Sequence, residues 1–222
     1  MVAATTGDRE AGWREAYTRV RKNPLTPVDR TNRARLRAMG FDDLDPGVEW
    51  LDLGAGDGNL SATLLDLGVR RLTALEVQAD LATRVPRGAA VVVGDVRALP
   101  LAGGWVSVAV VMDVLHHVPT DDLDVVLGEL ARVLRPGGHL LVCEPAPTVV
   151  RAVLTVLLGS PLASLTAFSR DKRRMVELEA DTLVPWLRGE SDFAGRAASA
   201  GFVLERTTRR PLHTLRRFRF RP

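Results

Sequence analysis

The chain has 222 residues, 46% of them hydrophobic and 26% charged, with 30 basic residues against 27 acidic ones and one cysteine. That composition excludes a disordered, collagen-like or disulfide-stapled chain, and the length suits one domain with a sizeable core. A net charge of +3 names no partner, and Cys143 has neither a disulfide mate nor a CxxC companion, which points to a reducing compartment.

In chain order, Asp8, Arg9 and Glu10 stand where an export signal needs apolar residues, so a cytoplasmic protein is expected. Two basic amphipathic segments come next, Asp8 to Lys22 and Pro27 to Met39, and read as helices outside the main sheet. Thr26 before Pro27 opens the second and Gly40 closes it. Strand-like runs then occur at residues 48–54, 71–77, 89–95, 105–112 and 138–144. Several are apolar on successive residues, the pattern of a parallel sheet buried on both faces.

Between them lie the helical patterns NLSATLLDLG, a short QADLATRV, and TDDLDVVLGELARVLRPGG, which starts at Thr120 and ends in Pro-Gly-Gly. This β-α-β-α succession predicts an α/β fold with an open, doubly wound, mostly parallel sheet. After residue 145 the pattern turns helical at 148–158, 171–187 and 191–200, and FVLERTT and TLRRFRF close the chain as a hairpin completing the sheet. The run from Ala152 to Phe168 is uncharged for 17 residues but is broken by Gly159, Ser160 and Pro161. A membrane span needs about 20 apolar residues, so this run reads as a buried helix and an apolar cap. Residues 206–222 hold seven Arg and no acid, and residues 9–37 hold eight Arg and one Lys against three acids. Solvated chain ends account for this without a nucleic acid.

The loop after the first strand carries the chemistry. It reads Asp52-Leu53-Gly54-Ala55-Gly56-Asp57-Gly58-Asn59. A dinucleotide fingerprint requires G-x-G-x-x-G, and Asn59 stands where its third glycine belongs. Three missing Cβ atoms still permit a tight turn and close approach of backbone to a ligand. Asp52 and Asp57 put negative charge beside it, which repels a pyrophosphate and favours a ligand carrying an ammonium and a sulfonium.

On these residues the chain resembles the class I S-adenosylmethionine (SAM)-dependent methyltransferases, whose first motif is acid-x-G-x-G-x-G, matched in register by Asp52, Gly54, Gly56 and Gly58. The likeness runs from about Trp50 to Pro145 and includes Glu76, Asp95, the LHHV segment and LRPGG in the same order. It implies SAM as cofactor, held by Asp52, the loop Gly54, Ala55, Gly56 and Gly58, and by Glu76 with Val77. Glu76 stands 24 positions after Asp52, and as a carboxylate would accept hydrogen bonds from both ribose hydroxyls. The resemblance gives Asp95 the adenine amino group and Val96 a backbone N–H to the ring. One domain over 1–222 is expected: N-terminal helices at 1–45, a cofactor-binding core at 46–145, a cap at 146–188, and a helix and hairpin at 189–222.

Methyl transfer from a sulfonium is an in-line displacement, so the protein mainly positions the acceptor and, for a hydroxyl, removes a proton. In doubly wound sheets ligands sit at the carboxyl ends of strands, which places Met112-Asp113-Val114-Leu115-His116-His117-Val118-Pro119 against the methyl group. His116 matches the histidine that serves as base in related O-methyltransferases; His117 is a second choice, and a helix-capping or packing role stands beside both. Asp113 either orients a histidine or holds the methionine part of the cofactor. Ser107 stands where the family often has Asp. The nucleobase signature (Asp/Asn)-Pro-Pro-(Tyr/Phe) and the Asp-Asn metal pair are missing, so no metal is expected. Tyr17, as a lid residue, and Glu144 are expected at the substrate.

The expected activity is methylation of a small organic acceptor, in the first place a hydroxyl of a hydrophobic metabolite. Its rivals are a SAM-binding scaffold or rearrangement enzyme of the same fold, an RNA methyltransferase using the C-terminal arginines, and quinone or lipid methylation at a membrane surface. A homodimer is left open.

Overall fold

The computed structural model describes residues 28–159 and 167–222. The expected helix from Asp8 to Lys22, with Tyr17, and the middle of the apolar run after Gly159 lie outside the described residues.

Seven strands form one mixed sheet in the order β3-β2-β1-β4-β5-β7-β6. They are β1 (Glu49–Leu53), β2 (Arg71–Glu76), β3 (Ala89–Val93), β4 (Val106–Met112), β5 (Leu134–Pro145), β6 (Phe202–Arg209) and β7 (His213–Phe220). The first five are parallel, and β7 runs antiparallel between β5 and β6. The described helices are α1 (Val28–Ala38), α2 (Asn59–Asp66), α3 (Ala79–Ala82), α4 (Leu123–Val133), α5 (Val149–Gly159), α6 (Ala167–Gly189) and α7 (Phe193–Ser199). This is the expected doubly wound α/β fold with a closing hairpin.

Successive apolar residues in the central strands serve opposite faces. Leu51, Leu53, Ala109, Val111, Leu140 and Val142 point into a core shared with α4 and with Phe193 of α7. Trp50, Val108, Val110, Leu141 and Cys143 point into a second core with Leu36 of α1 and Leu60 and Leu64 of α2. Side chains alternate along a strand, so an unbroken apolar run is what a sheet covered on both faces requires. At the edges the demand falls: β3 leaves Val91 and Val93 exposed, and β6 carries Glu205, Arg206 and Arg209.

Two boundaries differ from the sequence expectation. Helix α4 stops at Val133 and β5 begins at Leu134, so LRPGG belongs to the strand rather than the helix. Pro136 disfavours a helical Arg135, and a Cβ on Gly138 would lie 2.9 Å from the carbonyl oxygen of Ser107, a close approach that lets the strand pair with β4. Helix α6 begins at Ala167, four residues before Asp171, and is anchored at its other end by Trp186, whose Nε1 donates to the Pro145 carbonyl at 2.8 Å. Gly40 adopts φ +82 after α1, the left-handed stop its position predicts. Among the described residues no helix is long and apolar enough to cross a membrane.

Candidate active site

The sheet order reverses between β1 and β4, and the candidate residues among those described lie in the last residues of the parallel strands β1 to β5 or just beyond them, at the carboxyl ends where an α/β sheet opens a crevice. Gly54, Gly56 and Gly58 have φ of +74, +56 and +80, conformations that cost a side-chain-bearing residue. Gly54 N and Ala55 N both donate to the Leu75 carbonyl, at 2.8 and 2.9 Å, tying the loop to β2. Glu76 completes the tie: Oε2 accepts from Gly56 N at 2.8 Å and Oε1 from Gln78 N at 2.9 Å. A buried carboxylate is thus fixed at the strand end beside the loop.

Asp52 is buried under this loop. Its Oδ2 accepts from the Ser61 hydroxyl at 2.6 Å, while Oδ1 has no hydrogen-bond partner. Burial pushes its pKa up to about 7, against the Ser61 bond, and the Glu76 charge adds to the rise. An orphaned buried oxygen is costly unless something completes it, and the three positive-φ glycines turn the chain tightly beside it. A cationic ligand such as SAM suits both features. Asp95, after β3, is partly exposed and holds its own neighbour: Arg97 donates through Nη2 at 2.6 Å and Nε at 3.0 Å. Those bonds lower its pKa. Val96 is half-buried against the core and Val77 is exposed.

After β4 the chain turns sharply. Asp113 has φ +57, the only positive φ outside glycine among the described residues. Arg35 of α1 donates to its Oδ2 at 2.8 Å, and His213 of β7 donates from Nε2 to its Oδ1 at 2.9 Å. Burial opposes the charge, but Arg35 and His213 outweigh it and hold the carboxyl well below the usual range. The histidine that Asp113 bonds is His213, which no spacing in the sequence marked. Arg35 was equally unmarked.

Residues 115–117 then form one 3-10 turn. Glu144 at the end of β5 is fully buried and organises it: Oε1 accepts from Val114 N and Leu115 N, both at 2.8 Å, and Oε2 from His116 Nδ1 at 2.8 Å. Glu144, expected at the substrate, has no exposed surface and commits both oxygens to this turn. His116 is buried, which lowers its pKa, yet the Glu144 bond and charge raise it overall. The His117 ring lies 4.0 Å from that of His116, and desolvation of the imidazole together with the His116 charge keeps its pKa below the ordinary value, although part of the residue is exposed. A ring nitrogen of each histidine and a carboxylate oxygen of Glu179, on α6, lie within 4.8 Å of one another. Glu179 is a third residue sequence reasoning missed, and the set includes groups that can ligate a metal.

A family model described as a methyltransferase domain matches residues 51–142, from β1 to β5. Demethylmenaquinone methyltransferase of Mycolicibacterium vanbaalenii is 31% identical over 163 residues, 72% of this chain and 70% of that protein. Malonyl-[acyl-carrier protein] O-methyltransferase of Serratia marcescens is 32% identical over 108 residues, 47% of this chain and 41% of that protein. The chain spans 38% to 54% of the length of six further curated relatives. Among solved structures, magnesium protoporphyrin IX methyltransferase from Synechocystis PCC 6803, with bound SAH, superposes with a TM-score of 0.66 at 16% identity and 93% coverage of both chains. A glycine-rich turn over a buried acid, a second acid closing the turn from β2, and a relative matched over most of its length have one common account: the chain belongs to the class I S-adenosylmethionine-dependent methyltransferases.

Proposed function

We propose that this methyltransferase acts on a hydroxyl of a small, hydrophobic metabolite, with His116 as the proton acceptor. The observation that carries this is the Glu144–His116 pair. A carboxylate can only accept at His116 Nδ1, so Nδ1 bears the ring proton and Nε2 is left as the basic atom. Burial of the imidazole in a fixed turn removes the rotational freedom that a general base would otherwise lose on reaction. The His117 ring packs against it.

When bound, SAM supplies an electrophilic methyl group on a sulfonium. Glu76, with both oxygens aligned by the backbone N–H groups of Gly56 and Gln78, is assigned to the ribose hydroxyls. Asp95 would release Arg97 to take the adenine amino group, with Val96 N–H beside it and Val77 at the rim. Asp52 and the loop through Gly54, Ala55, Gly56 and Gly58 hold the cationic amino-acid end, with Asp113 adjoining. Hydrophobicity of the acceptor is supported by the apolar surface of α5, which the sequence predicts to be buried but which leaves Val149, Val153 and Val156 exposed after β5, and by the relatives named for demethylmenaquinone. Oxygen as the receiving atom is supported by the relative named an O-methyltransferase.

Incubation with methyl-labelled SAM and a panel of lipophilic alcohols, phenols and amines tests this. A labelled ether or ester is expected, with His116→Ala keeping cofactor affinity and losing on the order of 10²-fold or more in turnover. Label on nitrogen or carbon, or an undiminished rate in that variant, overturns it.

A further inference from the structure

A left-handed residue with a side chain needs something to hold it there. At Asp113 three contacts do so: its N–H donates to the Cys143 carbonyl at 2.9 Å, continuing the β4–β5 ladder, while Arg35 and His213 each take one carboxylate oxygen. Arg35 Nη2 also lies 3.3 Å from His213 Nδ1, so the three side chains form a closed set linking α1, β7 and the end of β4. The turn at Asp113 sets the course of residues 114–116. Val114 packs so tightly against the glycine loop that a Cβ on Gly54 would fall 2.6 Å from its Cγ2. The backbone N–H groups of Val114 and Leu115 and the His116 ring then meet Glu144.

We propose that Arg35 and His213 are positioning residues for methyl transfer: by gripping both oxygens of Asp113 they hold residue 113 in the left-handed turn that seats Val114 under the glycine loop and His116 on Glu144. Asp113 then serves the cofactor through its main chain, and its carboxylate is a handle. This rests on the reading that the loop after β4 faces the cofactor. Neighbouring charges fit the role: Arg35 meets Asp113 as its ion-pair partner, with Glu144 contributing from the adjacent strand, so the cation is held although largely buried.

A handle is unnecessary where the backbone adopts the turn unaided, so glycine at 113 should make Arg35 dispensable. Calorimetric titration of S-adenosylhomocysteine into the full chain separates the cases, with circular dichroism melting to confirm folding. Asp113→Ala and Arg35→Ala are each expected to weaken binding roughly tenfold, because an alanine or an ungripped aspartate resists the left-handed region. The double variant Arg35→Ala with Asp113→Gly should recover most of the affinity that Arg35→Ala loses, to within about threefold of the unaltered chain. His213→Ala, which frees the other oxygen, replaces Arg35→Ala if that variant does not fold. A double variant as weak as Asp113→Ala shows that the carboxylate itself meets the ligand and overturns the proposal, as does an Asp113→Ala chain that binds normally. Since binding is read without an acceptor, failure here leaves the assignment of His116 untouched, and loss of turnover in His116→Ala alone leaves this one untouched.

Discussion

Asp52 carries an unusual electrostatic burden for a single residue. Its unfolded pKa is about 3.9, and burial raises the folded value to about 7. A carboxyl with a raised folded pKa contributes stability that is complete below the unfolded value and disappears as pH climbs to the folded one. Asp52→Asn removes that loss, so urea unfolding should show the variant gaining on the unaltered chain between pH 5 and pH 8; equal differences at both pH values would contradict it. The sulfonium cofactor should pull the same proton off. Binding heats measured at pH 7 in two buffers of different ionisation enthalpy should therefore differ, and identical heats would mean that Asp52 keeps its charge state.

His116 titrates in the same sense, for a different reason. Its pKa lies above 6.5 because Glu144 outweighs burial, so the base form accumulates only as pH rises past that point, and the pair's contribution to stability is complete below about 6.5 and fades through the folded value. Turnover should rise with a midpoint above 6.5, and Glu144→Gln, which removes the carboxylate charge, should move that midpoint down. Exhaustive chelation should leave the rate unchanged. A rate lost to chelator and restored by a divalent ion would instead assign His116, His117 and Glu179 to a metal.

Elements decide how much a glycine matters. Gly54 and Gly58 both have positive φ, but a Cβ on Gly54 meets the side chain of Val114, whereas one on Gly58 would lie 2.7 Å from the Cα of Val85, in backbone after α3. A side chain can be trimmed and a backbone cannot. Gly54→Ala should lose cofactor affinity and regain part of it when combined with Val114→Ala; Gly58→Ala should lose affinity with no comparable rescue. Calorimetry with S-adenosylhomocysteine measures both, and a Gly54→Ala chain that binds normally would show that the turn tolerates a methyl group. These glycines were legible in the sequence because their requirement is local: three neighbouring residues without Cβ atoms encode a turn. So was Glu76, whose place is set by the end of an apolar strand. Arg35 and His213 were not, since they meet Asp113 across 78 and 100 residues of chain and nothing nearby in sequence needs them. Glu144 was visible as a strand-end acid, but only pairing of β5 beside β4 turns its carboxylate onto the LHHV turn.

Across the whole molecule the His213 contact has its origin in the antiparallel strand β7, inserted between β5 and β6. It carries His213 to the cofactor side of the sheet, and three residues further along it buries Arg216 against Glu190 and over the Phe193 ring, 5.6 Å away. Arg216 Nη1 has no further partner, so the Glu190 carboxylate is the main compensation for a buried guanidinium. A pair of this kind is worth little against apolar residues of the same size, but removing one member strands the other. Glu190→Ala should lower the unfolding free energy by about 3 kcal/mol or more, read from urea denaturation at pH 7. Replacing both residues by methionine should recover most of that loss, to within about 1 kcal/mol, and should restore cofactor binding if the single variant has lost it. A double variant as unstable as the single one would mean that this ion pair itself, rather than the filling of its space, fastens the hairpin to the last helices.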